Sequence, residues 1–163
     1  MRDIIKESLA EPKRSTGAPI PLFEKLINDD SEAIDEIPPK RFYNRFELMQ
    51  SIQEELSRIL NTRAGVKKID YEQLSKDPKN FALPQMYGLS DFSHYDASAR
   101  GDYPRIARLC ETAIRQYEPR LKNPVVTITG FDLNKSILNA IIDAELNVAD
   151  FQEEVTFPLE IAT

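Results

Sequence analysis

The one histidine of the chain, His94, stands in Leu89-Ser90-Asp91-Phe92-Ser93-His94-Tyr95-Asp96, where serine, histidine and aspartate crowd together. These are the ingredients of an activated serine nucleophile. A catalytic triad, however, is brought together by the fold from separate segments, and neighbours along the chain rarely meet in the required geometry. The one cysteine, Cys110, falls between Leu109 and Ala113 on an apolar stripe, which suits a small core side chain and not a reactive thiolate. One histidine and one cysteine cannot build a multi-histidine or paired-cysteine metal centre. A glycosidase needs two carboxylates across a cleft, one of them in an apolar pocket that raises its pKa. The neighbouring acids Glu54-Glu55 and Glu153-Glu154 sit on segments that read as solvated. Five glycines, none in a glycine-rich run, leave no material for a phosphate-cradling loop. No catalytic residue, metal ligand or cofactor is therefore expected.

One stretch breaks a local rule. In Tyr117-Glu118-Pro119-Arg120-Leu121 the proline must end a helix, so Glu118 lies at a C-terminus whose partial negative charge disfavours it, whereas Arg120 is welcome there. The proline also holds both charged side chains in a rigid exit, which suits an ion pair with a defined partner. Two readings stand: an ordinary helix stop, or a site.

These residues need elements to hold them. The helix that ends at Tyr117 starts with Asp102 as N-cap and Pro104 in the first turn, and carries Ile106, Leu109, Cys110, Ala113, Ile114 and Tyr117 on one stripe. Upstream, Phe46, Met49, Ile52, Leu56, Ile59 and Leu60 recur at helical steps, predicting an amphipathic helix from Arg45 that ends near Asn61 with Gly65 behind it. Residues 65–98 read as a long structured loop with at most a turn of helix near Tyr71 to Leu74. The β-branched run Val125 to Thr129, bounded by Gly130, is the first expected strand. Leu138 to Val148 and Glu154 to Ile161 alternate apolar and polar residues, which predicts two more, with Pro158 marking the last as an edge or a strand end. The expected fold class is α+β: two main amphipathic helices on one face of a small C-terminal antiparallel or mixed sheet.

The first forty residues hold Pro12, Pro19, Pro21, Pro38 and Pro39 and the acidic cluster Asn28-Asp29-Asp30-Ser31-Glu32. They read as a proline-rich, irregular arm (1–40) before a single domain (41–163). Its apolar patch, Ile20, Leu22, Phe23, Leu26 and Ile27, either packs on that domain or docks a partner. Twenty-one Lys and Arg against 27 Asp and Glu give a net charge of -6, the wrong sign for wrapping phosphate backbones, so no nucleic acid partner is expected. Met1 to Ala10 has no continuous apolar core of a signal peptide, and no stretch is long and apolar enough to cross a bilayer. A cytoplasmic protein without membrane insertion is the expectation.

Leu60-Asn61-Thr62-Arg63 closing one helix, Tyr87-Gly88-Leu89-Ser90-Asp91 in the long loop and Tyr117-Glu118-Pro119-Arg120-Leu121 closing a second helix occur in an order that resembles TssE. That is the baseplate subunit family of bacterial type VI secretion systems, among the tailed-phage baseplate-wedge proteins called lysozyme-like. The resemblance runs from about Arg41 to Leu159, and the first forty residues match least. Asn123-Pro124 and Asn134-Lys135-Ser136 are unusual for the family. The resemblance implies a structural role: binding the wedge subunits TssF and TssG beside the hub protein, and presenting strands that start polymerisation of the contractile sheath of TssB and TssC. The family's Glu-Pro-Arg motif maps onto Glu118, Pro119 and Arg120 and implies a part in holding the wedge core together. With Arg63, Tyr87, Asp91, Val155 and Phe157, these make up the expected partner interface. The implied protein is a monomer when free, not an enzyme, and works at the inner face of the cytoplasmic membrane. The alternative is a peptidoglycan-cleaving, lysozyme-like hydrolase.

Overall fold

A computed structural model describes residues 17–21, 24, 42–66, 68–74, 76–77, 79–80, 83–148 and 151–163. Ala18–Pro19 (β1) pairs antiparallel with Phe42–Tyr43 (β2) just ahead of the first helix, Arg45–Asn61 (α1). Asn44 caps α1 through a reciprocal box: its side chain accepts from the Glu47 N–H at 3.0 Å, and the Glu47 carboxylate accepts from the Asn44 N–H at 2.9 Å. The buried face of α1 is Leu48, Ser51, Ile52, Leu56, Ile59 and Leu60. Phe46, expected on that stripe, is 76% exposed. At 100° per residue it points about 120° away from the middle of the buried face.

The long loop holds more structure than the expected turn. Lys68–Leu74 forms a short helix (α2) and Pro84–Met86 a 3-10 turn, and Ala64, Tyr71 and Met86 make a satellite core beneath them. Tyr103–Tyr117 forms α3, with a proline in its first turn as expected. Asp102 occupies the N-cap position but does not cap. Its carboxylate instead accepts from the Asp96 N–H at 3.0 Å and pairs with Arg105 at 3.0 Å.

The C-terminal part is a three-stranded sheet in the order β3-β4-β5, formed by Leu121–Asp132, Ile137–Val148 and Phe151–Ala162 and antiparallel throughout. β3 starts four residues before the β-branched run, directly at the exit of α3. Pro124 is accommodated by a bulge between Lys122 and Val125, where Asn123 takes a left-handed φ of 50°. Ser136, with φ 53°, closes the β3–β4 turn in the same way. β4 alternates as its sequence predicts: Leu138, Ala140, Ile142, Ala144 and Leu146 are buried, while Asn139, Asp143, Glu145 and Asn147 face solvent. The buried face joins one core with α1 and α3, in which α3 lies along β3 and α1 along β5. Of the apolar patch on the arm, Ile20 is buried, and Leu22, Phe23, Leu26 and Ile27 lie outside the described residues.

Candidate functional site

Pro119 ends α3 at Tyr117, and the Glu118 N–H closes the last turn on the Ile114 carbonyl at 2.8 Å. The chain turns so tightly there that Glu118 and Arg120 meet side by side. Arg120 donates from Nε to Glu118 Oε1 at 2.7 Å and from Nη2 to Oε2 at 2.6 Å, a two-pronged ion pair. The Glu118 side chain is 1% exposed and that of Arg120 17%. The unfavourable helix-end glutamate thus finds its cation two residues on, in Arg120.

The third prong of Arg120 reaches across the core. Nη1 donates to Ser51 Oγ at 2.8 Å, and Ser51 donates to Glu24 Oε1 at 2.8 Å. The other oxygen of Glu24 accepts from the Tyr43 hydroxyl. The corner after α3 is therefore tied to α1, to β2 and to one residue of the N-terminal segment. Burial is the largest influence on Arg120 and works to lower its pKa, but the hydrogen bond and charge of Glu118, with Glu24 and Glu55 behind, raise it overall. Burial and then the hydrogen bond to Glu24 push the Tyr43 phenol upward. Ser51, Glu24 and Tyr43 went unnoticed in the sequence. The available signal was Ser51, a polar residue inside the apolar stripe of α1.

Tyr87 packs its ring on Tyr117 at 5.1 Å and donates to Glu55 Oε1 at 2.8 Å, while the Tyr117 hydroxyl donates to the Met86 carbonyl at 2.6 Å. The motif at Leu60 to Arg63 meets the one at Tyr87 to Asp91 in a parallel bridge, with Leu89 N–H to Thr62 O at 2.8 Å and Ala64 N–H to Leu89 O at 2.9 Å. Gly88 makes this approach possible: its φ is +99°, and a Cβ would lie 2.4 Å from the Thr62 carbonyl oxygen. Arg63 lies over the Phe92 ring at 4.6 Å and donates to the Leu60 carbonyl at 3.0 Å and to the Ala162 carbonyl. Desolvation lowers its pKa, against the nearby charge of Asp91. Exposed Asp91 folds its own loop by accepting from Ser93 N–H at 2.9 Å and Ser93 Oγ at 3.1 Å, which hold its carboxyl below the usual range. Arg63, Asp91 and Phe92 line one shallow pocket of about 320 Å³ with Ser93, Tyr95 and Thr163.

Val155 and Phe157 are buried at 5% and 2% exposure in the core between sheet and helices. The surface of β5 is made by their neighbours. The Glu160 carbonyl and the Ala162 N–H both meet the Asn61 side chain, away from β4, so even-numbered residues of β5 turn their backbone groups to the open edge. Pro158 is one of them, which is why its missing N–H leaves the β4–β5 ladder intact. The edge residues are Gln152, Glu154, Thr156 and Pro158.

The motifs thus form three places: a buried ionic corner, a loop bridge with a charged pocket, and a strand edge. The family model "Baseplate wedge protein gp25" matches residues 47–150, which contain the corner, the bridge and the start of the sheet. No curated protein sequence matches the chain. Among solved structures, a chain of the baseplate complex from the type VI secretion system is 19% identical over 72% of this chain and 97% of that chain, with a TM-score of 0.46. A proposed tail lysozyme from Geobacter sulfurreducens is 16% identical over 71% of this chain and 93% of that chain, with a TM-score of 0.40. With well over half of the chain inside the family match, the chain belongs to the gp25 family of baseplate wedge proteins.

Proposed function

We propose that the chain is a structural subunit of the baseplate of a contractile type VI secretion apparatus. In this reading it joins TssF and TssG in the wedge beside the hub and offers β5 to TssB and TssC as the first rung of the sheath. The observation that carries the strand role is the open edge of β5 at Gln152, Glu154 and Thr156, with unpaired N–H and C=O groups among the described residues. The order of the three motifs supports the type VI assignment. Arg63, Tyr87 and Asp91 form the wedge contact in this reading, and Glu118, Pro119 and Arg120 brace that surface from within. Residues 1–40 act as an arm to a single domain at 41–163, and the subunit works in the cytoplasm at the inner face of the membrane. Among the described residues no helix is long and apolar enough to cross a membrane.

A structural role is favoured over peptidoglycan hydrolysis by the state of Glu118, the one buried carboxylate among the described residues and so the one placed where a raised-pKa acid would have to sit. A general acid in a glycosidase must reach its substrate. This carboxylate is 1% exposed and gripped at both oxygens by Arg120. Co-expression with TssF and TssG followed by affinity purification tests the proposal: a stable complex is expected, together with no clearing of peptidoglycan by the pure protein. Failure to co-purify, or measurable clearing, would count against it.

A further inference from the structure

The β5 edge is open over only part of its length, and this bears on what can join it; the inference rests on the strand-addition reading above. Asn61, at the end of α1, donates from Nδ2 to the Glu160 carbonyl at 3.1 Å and accepts from the Ala162 N–H at 2.8 Å. Its carboxamide offers one donor and one acceptor, as a peptide unit of a neighbouring strand would. Arg63 adds a guanidinium donor to the Ala162 carbonyl. The last stretch of the edge is therefore occupied by side chains of α1 and the residues that follow it. On the opposite edge of the sheet, Glu111 accepts from the Val126 N–H at 3.1 Å and blunts β3 in a similar way. What remains are the N–H groups of Gln152, Glu154, Thr156 and Glu160 and the carbonyls of Gln152, Glu154, Thr156 and Pro158. That is a short landing site with a fixed end.

Its charge is also uneven. One row across the solvent face runs Lys122, Glu145, Glu154, because Lys122 faces Glu145 and Glu145 faces Glu154 in the strand register. Glu145 has Lys122 beside it and accepts from Asn123 Nδ2 at 3.1 Å. Glu153, on the other face, pairs with Arg45 at 2.7 Å. Among the described residues Glu154 forms no ion pair; it faces Glu145, and like charges directly opposite are unfavourable. We propose that the strand received by β5 is a short extended segment of a partner protein, confined to Gln152–Pro158 by the Asn61 stop and carrying a lysine or arginine opposite Glu154. The row then reads cation, acid, acid, cation.

The test uses the full chain with purified TssB and TssC, following co-assembly of wild type, Thr156→Pro and Glu154→Lys at low and high salt. Thr156→Pro removes an edge N–H that the β4–β5 ladder does not use, and is expected to abolish co-assembly. Glu154→Lys is expected to weaken it about 3- to 10-fold at low salt and much less at high salt, since the pair is exposed and screened. The free protein should melt no lower for Glu154→Lys, because the introduced cation faces Glu145. If Thr156→Pro blocks assembly and Glu154→Lys leaves it unchanged, strand addition stands and the basic segment is wrong. If Thr156→Pro assembles normally, strand addition at this edge fails and the inference with it. An Ala162 amide exchanging as fast as that of Thr156 in the free protein would overturn the Asn61 stop.

Discussion

Replacing Glu118 by glutamine removes one charge and few atoms, and so probes the corner after α3 without opening a cavity. The wild-type carboxylate is 1% exposed and takes two charge-assisted hydrogen bonds of 2.7 and 2.6 Å from Arg120. Removing one partner of a buried pair costs about 3–5 kcal/mol, because the other charge remains desolvated. Two features reduce this here. Arg120 is 17% exposed, and its Nη1 still points to Ser51, which leads to the Glu24 carboxylate. A cost of about 2–4 kcal/mol to the free protein follows. In a domain of this size that corresponds to a fall in melting temperature of about 5–15 °C. The assay is urea and thermal unfolding of wild type, Glu118→Gln, Arg120→Met and the double variant Glu118→Leu/Arg120→Met. The double variant is expected to recover much of the loss, since it leaves no charge stranded in the core. A Glu118→Gln protein that melts within a degree of wild type would refute the internal brace and return Glu118 to the partner interface that the family resemblance implied.

Three further outcomes follow from single residues. Gly88→Ala should destabilise the protein by about 3 kcal/mol or more, because a Cβ would sit 2.4 Å from the Thr62 oxygen at φ +99°, and a wild-type melting curve would contradict the bridge geometry. Burial and the bond to Glu55 push Tyr87 upward, and burial raises Tyr117 to about 12, so the folded state keeps neutral phenols that the unfolded chain loses near pH 10. Their contribution to stability is complete below about pH 10; that of Tyr117 is lost as pH rises through about 12 and that of Tyr87 at still higher pH, and a tyrosinate absorbance that appears in one step near pH 10 in the folded protein would be the opposite result. Burial lifts the Cys110 thiol to about 12, so native protein should resist alkylation at neutral pH and label only on unfolding, and rapid native labelling would place Cys110 outside the core.

Much of this architecture could be read from spacing alone. Both main helices, the antiparallel sheet and the alternation of β4 follow from periodicity, because each element buries one face and exposes the other. Phe46 misled, since three- and four-residue steps fit it to the stripe of α1 while Leu48, two residues on, takes the buried place. The start of β3 was hidden by Pro124, whose effect is absorbed in a bulge that only the left-handed Asn123 reveals. The odd glutamate at the end of α3 was visible as an anomaly. Its partner was not, because a contact between residues two apart depends on the turn that Pro119 makes, and Ser51 and Glu24 reach the corner from distant segments. The strand edge was legible as an edge through Pro158. Which residues turn outward required the register, and this moves the exposed surface from Val155 and Phe157 to Glu154, Thr156 and Pro158.

Amide hydrogen exchange at the β5 edge, with and without assembled TssB and TssC, tests the central claim most directly. In the free protein the Gln152, Glu154 and Thr156 amides should exchange quickly, and that of Ala162, already held by Asn61, slowly. On assembly the first three should become protected while Ala162 changes little. Assembled sheath with all three edge amides still exchanging at their free rate would contradict the claim that this chain seeds the sheath through β5.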